Sequence, residues 1–380
     1  MNISQDLSSL AVSQKTSKGR LYQESNSRTR SEFQRDKDRI LHSSAFRRLK
    51  HKTQVFVSHE GDHYRTRLTH SLEVSQIARS ICKVFNLNED LAETLSLSHD
   101  IGHPPFGHAG EYALSKSMKN YGGFDHNDQA IRILHILEKK YFDFDGLNLT
   151  WETIEGLVKH NGPIKSQIPE TIDAINSQFD LRLNEYASLE AQIASIADDI
   201  AYNNHDLDDG LRAGFFTYDE ISRLPLVGNI INKFPSNYTQ FEMQRINHEI
   251  TRKTTSLMIN DVINNTLKNI ENLKIKKSQD VRICDHQLAD FSLDMKNEVK
   301  TIKSFLSEKM YNHDKVLNMT KNANQIVSSL FDFLEQQDDI FLKSHLGTSF
   351  TNNEKPRAIS DFISGMTDNY AQSFYTNHVK

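Results

Sequence analysis

Apolar residues recur every three or four positions along most of the chain, and this spacing constrains the fold more than any other feature. In residues 69–85, for example, Val74, Ile77, Ile81 and Val84 fall on one helical face. Strict alternation of apolar and polar residues, which is typical of half-buried strands, is scarce. The 7 prolines among 380 residues also leave long stretches free to be helical. The pattern predicts an all-α protein.

Helix boundaries follow from the same periodicity and from capping residues. The first helix-forming segment, residues 32–50, is strongly charged, and residues 53–57 could form a short hairpin. A lysine-rich polar stretch at 268–278 is expected to be a connection between helices. The helical segments predicted in the first 210 residues are 32–50, 69–85, 88–102, 109–116, 127–139, 151–160 and 183–204.

Charge and composition exclude several classes of protein. The formal net charge of -5 and the pI of about 6.4 argue against a molecule that is basic overall and binds nucleic acid with its whole surface. No apolar run approaches the roughly 20 residues that a membrane span requires. The first 18 residues are polar and lack the apolar core of a signal peptide. With Cys82 and Cys284 as two reduced thiols, we expect a cytoplasmic protein.

Histidines are concentrated in one part of the chain. Of 17 histidines, ten lie between His42 and His135. Leu91, Leu95 and His99 recur every four residues, so His99 is expected to face the core with Asp100 beside it. His70 lies four residues before the apolar Val74 and is expected to face inward as well.

A later helix repeats this arrangement with carboxylates. Ala194, Asp198, Tyr202 and Asp206 share one face by their four-residue spacing. Two imidazoles and two carboxylates from three helices would form a mixed nitrogen and oxygen metal site with positions left for water and phosphate. The adjacent Asp199 is an alternative to Asp198 as the second carboxylate.

A longer motif makes this hypothesis specific. Residues 99–111 read HDIGHPPFGHAGE, and further motifs are RLTHSLEV at 67–74, FDHN at 124–127, ADDIAYNNHDLDDG at 197–210 and GMTDNYA at 365–371. Together they resemble the dGTPase branch of the HD superfamily over residues 30–209 and 357–371. Between residues 217 and 350 no motif is found. The resemblance implies one divalent metal ion, Mn²⁺ or Mg²⁺ in first place with Fe, Co or Ni as alternatives, held by His70, His99, Asp100 and Asp198.

The resemblance also implies a reaction, the hydrolysis of a deoxynucleoside triphosphate (dNTP) to deoxynucleoside and inorganic triphosphate. It makes His108 the general acid at the α-phosphate, and Glu111, three residues later, can orient that imidazole. His103 and His126 match further active-site histidines that contact phosphate or position water. A loop histidine and a helix-capping histidine are the alternative interpretations of these two.

Substrate contacts are assigned in the same way. Arg67 and Arg357 match phosphate contacts, and Gln54 resembles a residue near the 3′-hydroxyl of the sugar. Tyr202 stacked under the sugar would exclude a 2′-hydroxyl, and Asp206 could accept from the 3′-hydroxyl. The alternative for this pair is a role in helix packing and capping. Residues 159–162, Lys-His-Asn-Gly, are either a helix end or a border of the pocket.

The expected organisation has three parts: a flexible segment 1–28, an HD-type metal-dependent phosphohydrolase core 29–210, and a helical C-terminal region 211–380 that completes the nucleotide pocket. The resemblance implies a homo-oligomer, with a hexamer as one form, and a second dNTP as allosteric activator. The arginine-rich segment 20–67 leaves nucleic-acid binding as a secondary activity. Two other functions stay open: another HD phosphohydrolase, such as a 5′-nucleotidase or phosphodiesterase, or a dNTP sensor or nucleic-acid-binding protein with vestigial activity.

Overall fold

The computed structural model describes residues 6–54, 65–234, 240–346, 350–351 and 353–380. Helices dominate these ranges, and the β-bridges found within them are isolated pairs such as Thr53 with Thr66. The hairpin expected at 53–57 lies largely outside the described residues. The helices are α1 (Glu32–Leu41), α2 (Ser44–Arg48), α3 (Arg67–Phe85), α4 (Glu89–Ser98), α5 (Gly107–Ser117), α6 (His126–Arg132), α7 (Trp151–Val158), α8 (Glu170–Phe179), α9 (Leu189–Arg212), α10 (Tyr218–Ile221), α11 (Pro225–Ile231), α12 (Gln240–Leu273), α13 (Ser278–Arg282), α14 (Leu293–Leu306), α15 (Asp314–Gln336), α16 (Asp339–Leu346), α17 (Lys355–Ser364) and α18 (Asp368–His378).

The all-α prediction is confirmed, and the helix boundaries differ from it where a cap or a buried side chain decides. The segment 32–50 is two helices, because the Ser43 side chain accepts from the Phe46 amide and starts α2. Ser188 caps α9, which therefore begins at Leu189 rather than near residue 183. The connection expected at 268–278 is wrong as to its first residues: α12 continues to Leu273, because Ile270 is buried in the core.

The centre of the protein is formed by α3, α4 and α9. Ile77 and Ile81 of α3 share a buried cluster with Ile193 and Ile200 of α9, and each such side chain contributes about 1.5–3 kcal/mol by its burial. The inner face of α4 belongs to a second cluster that includes Leu95. Tight packing of these three helices holds the polar residues that they carry in fixed positions.

The C-terminal helices pack against α5. Leu114 of α5 lies in a third cluster with Leu330 of α15, Ile359 of α17 and Phe374 of α18. The expected boundary at residue 210 falls within α9, which ends at Arg212, and the division into regions stays a prediction. Within the described ranges, no helix is both long and apolar enough to cross a membrane.

The N-terminal segment differs from the expected flexible tail in its described part. Leu10 is buried in the core, and the Val12 amide donates to Glu190 Oε1 at 2.8 Å. Arg20 forms ion pairs with Glu32 at 2.7 Å and with Asp36 at 2.5 Å. Apolar contacts and buried ion pairs therefore order a segment whose polar composition had suggested fraying.

Candidate active site

The first turn of α3 places two of the predicted site residues. The Thr66 side chain accepts from the Thr69 amide and caps the helix, so that Arg67 and His70 lie in its first turn. His70 is fully buried, and its Nε2 lies 2.8 Å from Asp198 Oδ1 of α9. The helix predicted from residue 69 therefore begins two residues earlier, and Thr69 is its third residue and exchanges hydrogen bonds with Thr66.

His99 follows α4 directly and is oriented by its own backbone. Its Nδ1 lies 2.7 Å from the Ser96 carbonyl, so Nδ1 carries a proton and Nε2 is the atom that could bind a metal. That Nε2 lies 3.6 Å from Asp198 Oδ1 and 3.7 Å from Asp100 Oδ1. One ligand atom each from His70, His99 and Asp198 lies within 4.8 Å of the others. The four predicted metal ligands are thus brought together.

Two buried atoms of this group have no hydrogen-bond partner in the described structure: His99 Nε2 and Asp100 Oδ2. An unpartnered buried polar atom costs about 1–3 kcal/mol, and a cation would satisfy both. Burial opposes charge on His99, yet Asp100 and Asp198 raise its pKa to about 9. The site therefore attracts positive charge, and the two imidazoles and two carboxylates fit a divalent ion.

Asp199, the alternative ligand, lies on another face of α9. Its side chain is 47% exposed and pairs with Lys303 at 2.8 Å. His160, in the segment whose role was left open, has its Nε2 3.6 Å from Asp198 Oδ2, and its ring stacks on His99 with centroids 5.3 Å apart. The helix end after α7 therefore also borders this site.

His205 and Glu73 form a series of polar contacts with His70 that the sequence did not predict. His70 Nδ1 lies 3.2 Å from His205 Nδ1, and His205 Nε2 lies 2.9 Å from Glu73 Oε2. Burial opposes charge on Glu73, but His205 and Arg65 lower its pKa to about 2. Such contacts fix the ring orientation of a ligating histidine. Their only sequence signal is helical spacing, since Glu73 is three residues from His70 and His205 is seven from Asp198.

Glu111 contacts the three predicted catalytic histidines, His103, His108 and His126, and these four residues form a second cluster, the Glu111 cluster, beside the metal-ligand cluster. Its Oε2 lies 3.3 Å from His108 Nδ1 and 3.9 Å from His103 Nδ1. Its Oε1 lies 2.7 Å from His126 Nδ1 and accepts from the His126 amide at 3.0 Å. Burial opposes its charge, but His108 and His126 hold the Glu111 pKa well below its usual range. His103 Nε2 lies 3.3 Å from Asp100 Oδ1 and so links the two clusters.

Two glycines allow this close packing. A Cβ on Gly102 would lie 1.9 Å from the His126 carbonyl oxygen, so only glycine lets α6 approach the turn after α4. Gly107 has a φ of 57°, and its missing side chain leaves room for the Arg67 guanidinium, which would be 2.9 Å from a Cβ there. Both positions therefore require glycine for a steric reason.

Arg67 is 1% exposed and donates to Asp100 Oδ1 at 2.7 Å. Its Nε and its second terminal nitrogen are buried without a hydrogen-bond partner in the described structure. The side-chain oxygen of Gln54 is also buried and has no hydrogen-bond partner in the described structure. Buried polar groups of this kind are ready to bind a polar ligand.

On α9, the predicted sugar-binding face includes one unexpected residue. The Tyr311 hydroxyl lies 3.2 Å from that of Tyr202 and donates to the Asp206 carboxylate. Burial raises the pKa of Asp206 to about 7, against the opposing effect of Tyr311. Tyr311 follows α14, in the region where no motif was found, so only the three-dimensional structure identifies it.

Arg357 lies apart from the residues above. Its NH2 group is 3.4 Å from the Tyr121 carbonyl, and it lines a cavity of about 1320 Å³ with other cations, Arg48, Arg132, Lys139 and Lys140. None of the four predicted metal ligands is among the residues that line this cavity. Its role as a phosphate contact stays a prediction.

Comparison with known proteins gives two matching family models. Residues 67–203 match the HD domain, and residues 289–377 match the phosphohydrolase-associated domain. The first range contains all four predicted metal ligands and the Glu111 cluster. The second covers residues 289–350 of the region in which the sequence showed no motif.

The chain is similar along nearly its whole length to proteins called deoxyguanosinetriphosphate triphosphohydrolase-like protein. That of Bradyrhizobium sp. strain ORS 278 is 51% identical over 93% of this chain and 92% of its own length. That of Bartonella henselae is 50% identical over 95% and 92%, and that of Parvibaculum lavamentivorans is 50% identical over 93% and 91%. A solved hypothetical protein from Aquifex aeolicus aligns at 19% identity over 83% of this chain and 79% of its own, with a TM-score of 0.31, too low to inform the fold.

Proposed function

The chain belongs to the HD-domain family of deoxyguanosinetriphosphate triphosphohydrolase-like proteins, and from that membership we propose that it hydrolyses dNTPs to deoxynucleoside and inorganic triphosphate. The observation that carries the proposal is the contact between its two clusters. Asp100 is one of the four predicted metal ligands, and its Oδ1 lies 3.3 Å from Nε2 of His103, which belongs to the Glu111 cluster. A cation that holds the α-phosphate and a proton donor for the 5′-oxygen would therefore lie on either side of the same phosphorus atom.

The metal ligands in this proposal are His70, His99, Asp100 and Asp198. A divalent cation bound there would neutralise phosphate charge and lower the pKa of a bound water. Mn²⁺ and Mg²⁺ are the first candidates, and Fe, Co or Ni would also suit two imidazoles and two carboxylates. His205 would hold the His70 ring in position through the 3.2 Å contact between their Nδ1 atoms.

In the proposed reaction, water attacks the α-phosphorus and releases a proton to the solvent, the bond from phosphorus to the 5′-oxygen breaks, and the deoxynucleoside leaves. His108 gives its proton to the 5′-oxygen, because an alkoxide is a poor leaving group at neutral pH. Its side chain is 67% exposed, whereas that of Glu111 is 18% exposed. Glu111 would therefore be the fixed partner that orients His108, while His103 and His126 contact phosphate or position the water.

The substrate-binding residues follow from their free polar groups. Arg67 would use its unpartnered nitrogens on a phosphate oxygen, which suits a planar guanidinium. Gln54 would use its free oxygen on the sugar. Tyr202 and Asp206 would face the deoxyribose and discriminate against a 2′-hydroxyl. For Arg357 we keep the proposed role at the triphosphate.

Further features rest on the family resemblance and on the composition of the sequence. We propose that the protein forms a homo-oligomer, with a hexamer as one form, in the cytoplasm. A second dNTP would act as an activator. Nucleic-acid binding would be a secondary activity.

The test is a panel of the four dNTPs, alone and mixed, with Mn²⁺ or Mg²⁺ and with products separated by ion-exchange chromatography. The expected products are deoxynucleoside and triphosphate, and both should be lost in Asp100→Ala. Asp199→Ala is the matched control, since this neighbouring carboxylate faces away from the site. Orthophosphate or a monophosphate as product would instead indicate another HD phosphohydrolase. No turnover in any mixture would favour a sensor.

A further inference from the structure

We propose a second metal site, formed by His103, His108 and Glu111, that takes Zn²⁺ or a similar borderline ion and switches the enzyme off. The inhibitory effect rests on the proposed role of His108 as general acid, whereas the site itself rests only on geometry. One ligand atom from each of the three residues lies within 4.8 Å of the other two.

The spacing of the donors is close to that of a zinc site. Glu111 Oε2 lies 3.3 Å from His108 Nδ1 and 3.9 Å from His103 Nδ1. Tetrahedral zinc with ligands at about 2.0–2.1 Å sets its donors roughly 3.3–3.4 Å apart. His108 is 67% exposed, so a rotation of its side chain could bring its nitrogen closer to the other two donors and complete the site.

A buried atom without a partner points into the site. His103 is 3% exposed, and its Nδ1 has no hydrogen-bond partner in the described structure. Its Nε2 faces Asp100 Oδ1 at 3.3 Å, which keeps the ring proton on Nε2 and leaves a lone pair on Nδ1. That lone pair faces a carboxylate oxygen, which repels it, and a cation between the two would turn repulsion into coordination.

Glu111 is oriented for coordination by its other oxygen. Oε1 accepts from the His126 amide at 3.0 Å and lies 2.7 Å from the His126 ring. Oε2 is left toward His103 and His108. Hydrogen bonds of this kind hold a ligating carboxylate in place. Two histidines and one glutamate also form the protein ligand set of open zinc sites, in which water takes the fourth position.

The site is distinct from the first one because the His103 ring stands between them. Asp100 meets its Nε2 and Glu111 its Nδ1, so the two ions would not share a bridging oxygen as in two-metal phosphatases. Both sites offer two imidazoles, but the first offers two carboxylates and the second only one, and Mg²⁺ and Mn²⁺ prefer oxygen ligands. The activating ion would therefore fill the first site and leave the second to Zn²⁺.

Occupancy of the second site would remove the proton donor. His108 bound to a metal through Nδ1 keeps one proton on Nε2 and cannot take the second proton that makes imidazole an effective acid. Glu111, now a ligand, no longer orients His108 for the leaving group. Zinc would therefore slow the proposed hydrolysis without displacing the first ion.

The first experiment counts ions on the full-length protein. Metal-free protein is loaded with Co²⁺, dialysed, and measured for bound metal and for the visible absorbance of four- or five-coordinate Co²⁺. We expect two ions per chain, one ion in Glu111→Gln, and two in Glu249→Gln, a control in an exposed ion pair of α12. His108→Ala, at a position where the side chain is 67% exposed, should also bind one ion, and Asp198→Ala should keep the second ion. One ion in the wild type, or two in His108→Ala, would overturn the proposal.

The second experiment measures activity. Micromolar Zn²⁺ added to the Mn²⁺-loaded enzyme should lower kcat at least tenfold, with the Mn²⁺ content unchanged. Two bound ions without inhibition would overturn the switching role. A protein that binds two ions and hydrolyses no dNTP would contradict the proposed function but support the second metal site. A protein that hydrolyses dNTPs and binds one ion would support the proposed function and contradict the second metal site.

Discussion

Asp368, near the C terminus, accepts hydrogen bonds from the backbone amides of Thr53 and Phe106, each at 2.9 Å. It thereby joins the segment before α3 to the turn before α5. Lys52 adds a second connection, because its buried ammonium donates to the carbonyls of His103 at 2.5 Å and Ser364 at 2.7 Å. The C-terminal helices α17 and α18 are thus anchored to both sides of the turn that carries His103.

Replacing Asp368 by asparagine should loosen this anchor. An amide group offers one acceptor oxygen, so one of the two backbone amides would lose its partner, at a cost of about 1–3 kcal/mol. We expect a lower Tm and a kcat reduced by about tenfold, because the turn would no longer hold His108 in line. Circular dichroism and steady-state kinetics measure both. Asp314→Asn, at the exposed start of α15, should change neither, and an Asp368→Asn enzyme with normal kcat would refute the positioning role.

The chain of contacts behind His70 should control metal affinity. Without the imidazole of His205, the His70 ring loses its neighbour at 3.2 Å, and loss of such outer contacts typically weakens metal binding about 10–100-fold. We expect that weakening in His205→Ala, measured by competition with a chelator. His248→Ala, an exposed histidine of α12, is the control. Equal affinity in both variants would mean that His70 is held by other contacts.

Tyr311 should matter for the sugar. Tyr311→Phe removes the hydroxyl that lies 3.2 Å from Tyr202 and also donates to Asp206. The two side chains would then lose their fixed spacing, and discrimination against ribonucleotides should fall about 10-fold. The measurement compares kcat/KM for dGTP and GTP. Tyr22→Phe, at an exposed position of the N-terminal segment, should keep the wild-type ratio, and an unchanged ratio in Tyr311→Phe would place the sugar elsewhere.

Asp206 should make stability depend on pH. Burial raises its pKa from 3.8 to about 7, so between pH 4 and 7 the folded protein holds a proton that the unfolded chain has lost. This contribution is complete below the unfolded pKa and disappears as the pH rises through 7. Asp206→Asn cannot ionise, so its Tm relative to wild type should rise from pH 5 to pH 8, by the equivalent of about 1–3 kcal/mol. A constant difference in Tm would show that Asp206 is already ionised at pH 5.

Local signals in the sequence predicted part of the site well. His99 and Asp198 were assigned from helical spacing, and both lie where that spacing directs them, because α4 and α9 bury the same apolar stripes that define their faces. Caps were less certain, since Thr66 and Thr69 can exchange the same pair of hydrogen bonds. The two-residue difference between the predicted and the observed start of α3 follows directly from that ambiguity.

Long-range contacts could not be predicted. Lys52 and Ser364 meet across 312 residues, and Tyr311 reaches Asp206 from a region without motifs. Asp368 lies within a recognised motif, yet nothing in its neighbours shows that it bonds the amide of Thr53. Such pairs depend on how the helices pack together, and helical periodicity carries no information about that arrangement.

Hydrolysis of a dNTP in ¹⁸O-labelled water tests the central claim most directly. If water attacks the α-phosphorus beside the metal site, mass spectrometry will find one ¹⁸O atom in the inorganic triphosphate and none in the deoxynucleoside. The deoxynucleoside will keep its own 5′-oxygen, protonated by His108. Label in the deoxynucleoside would contradict attack at the α-phosphorus, and so would label in orthophosphate or pyrophosphate released from the triphosphate group. Either result would also contradict the proposed roles of Asp100 and His108.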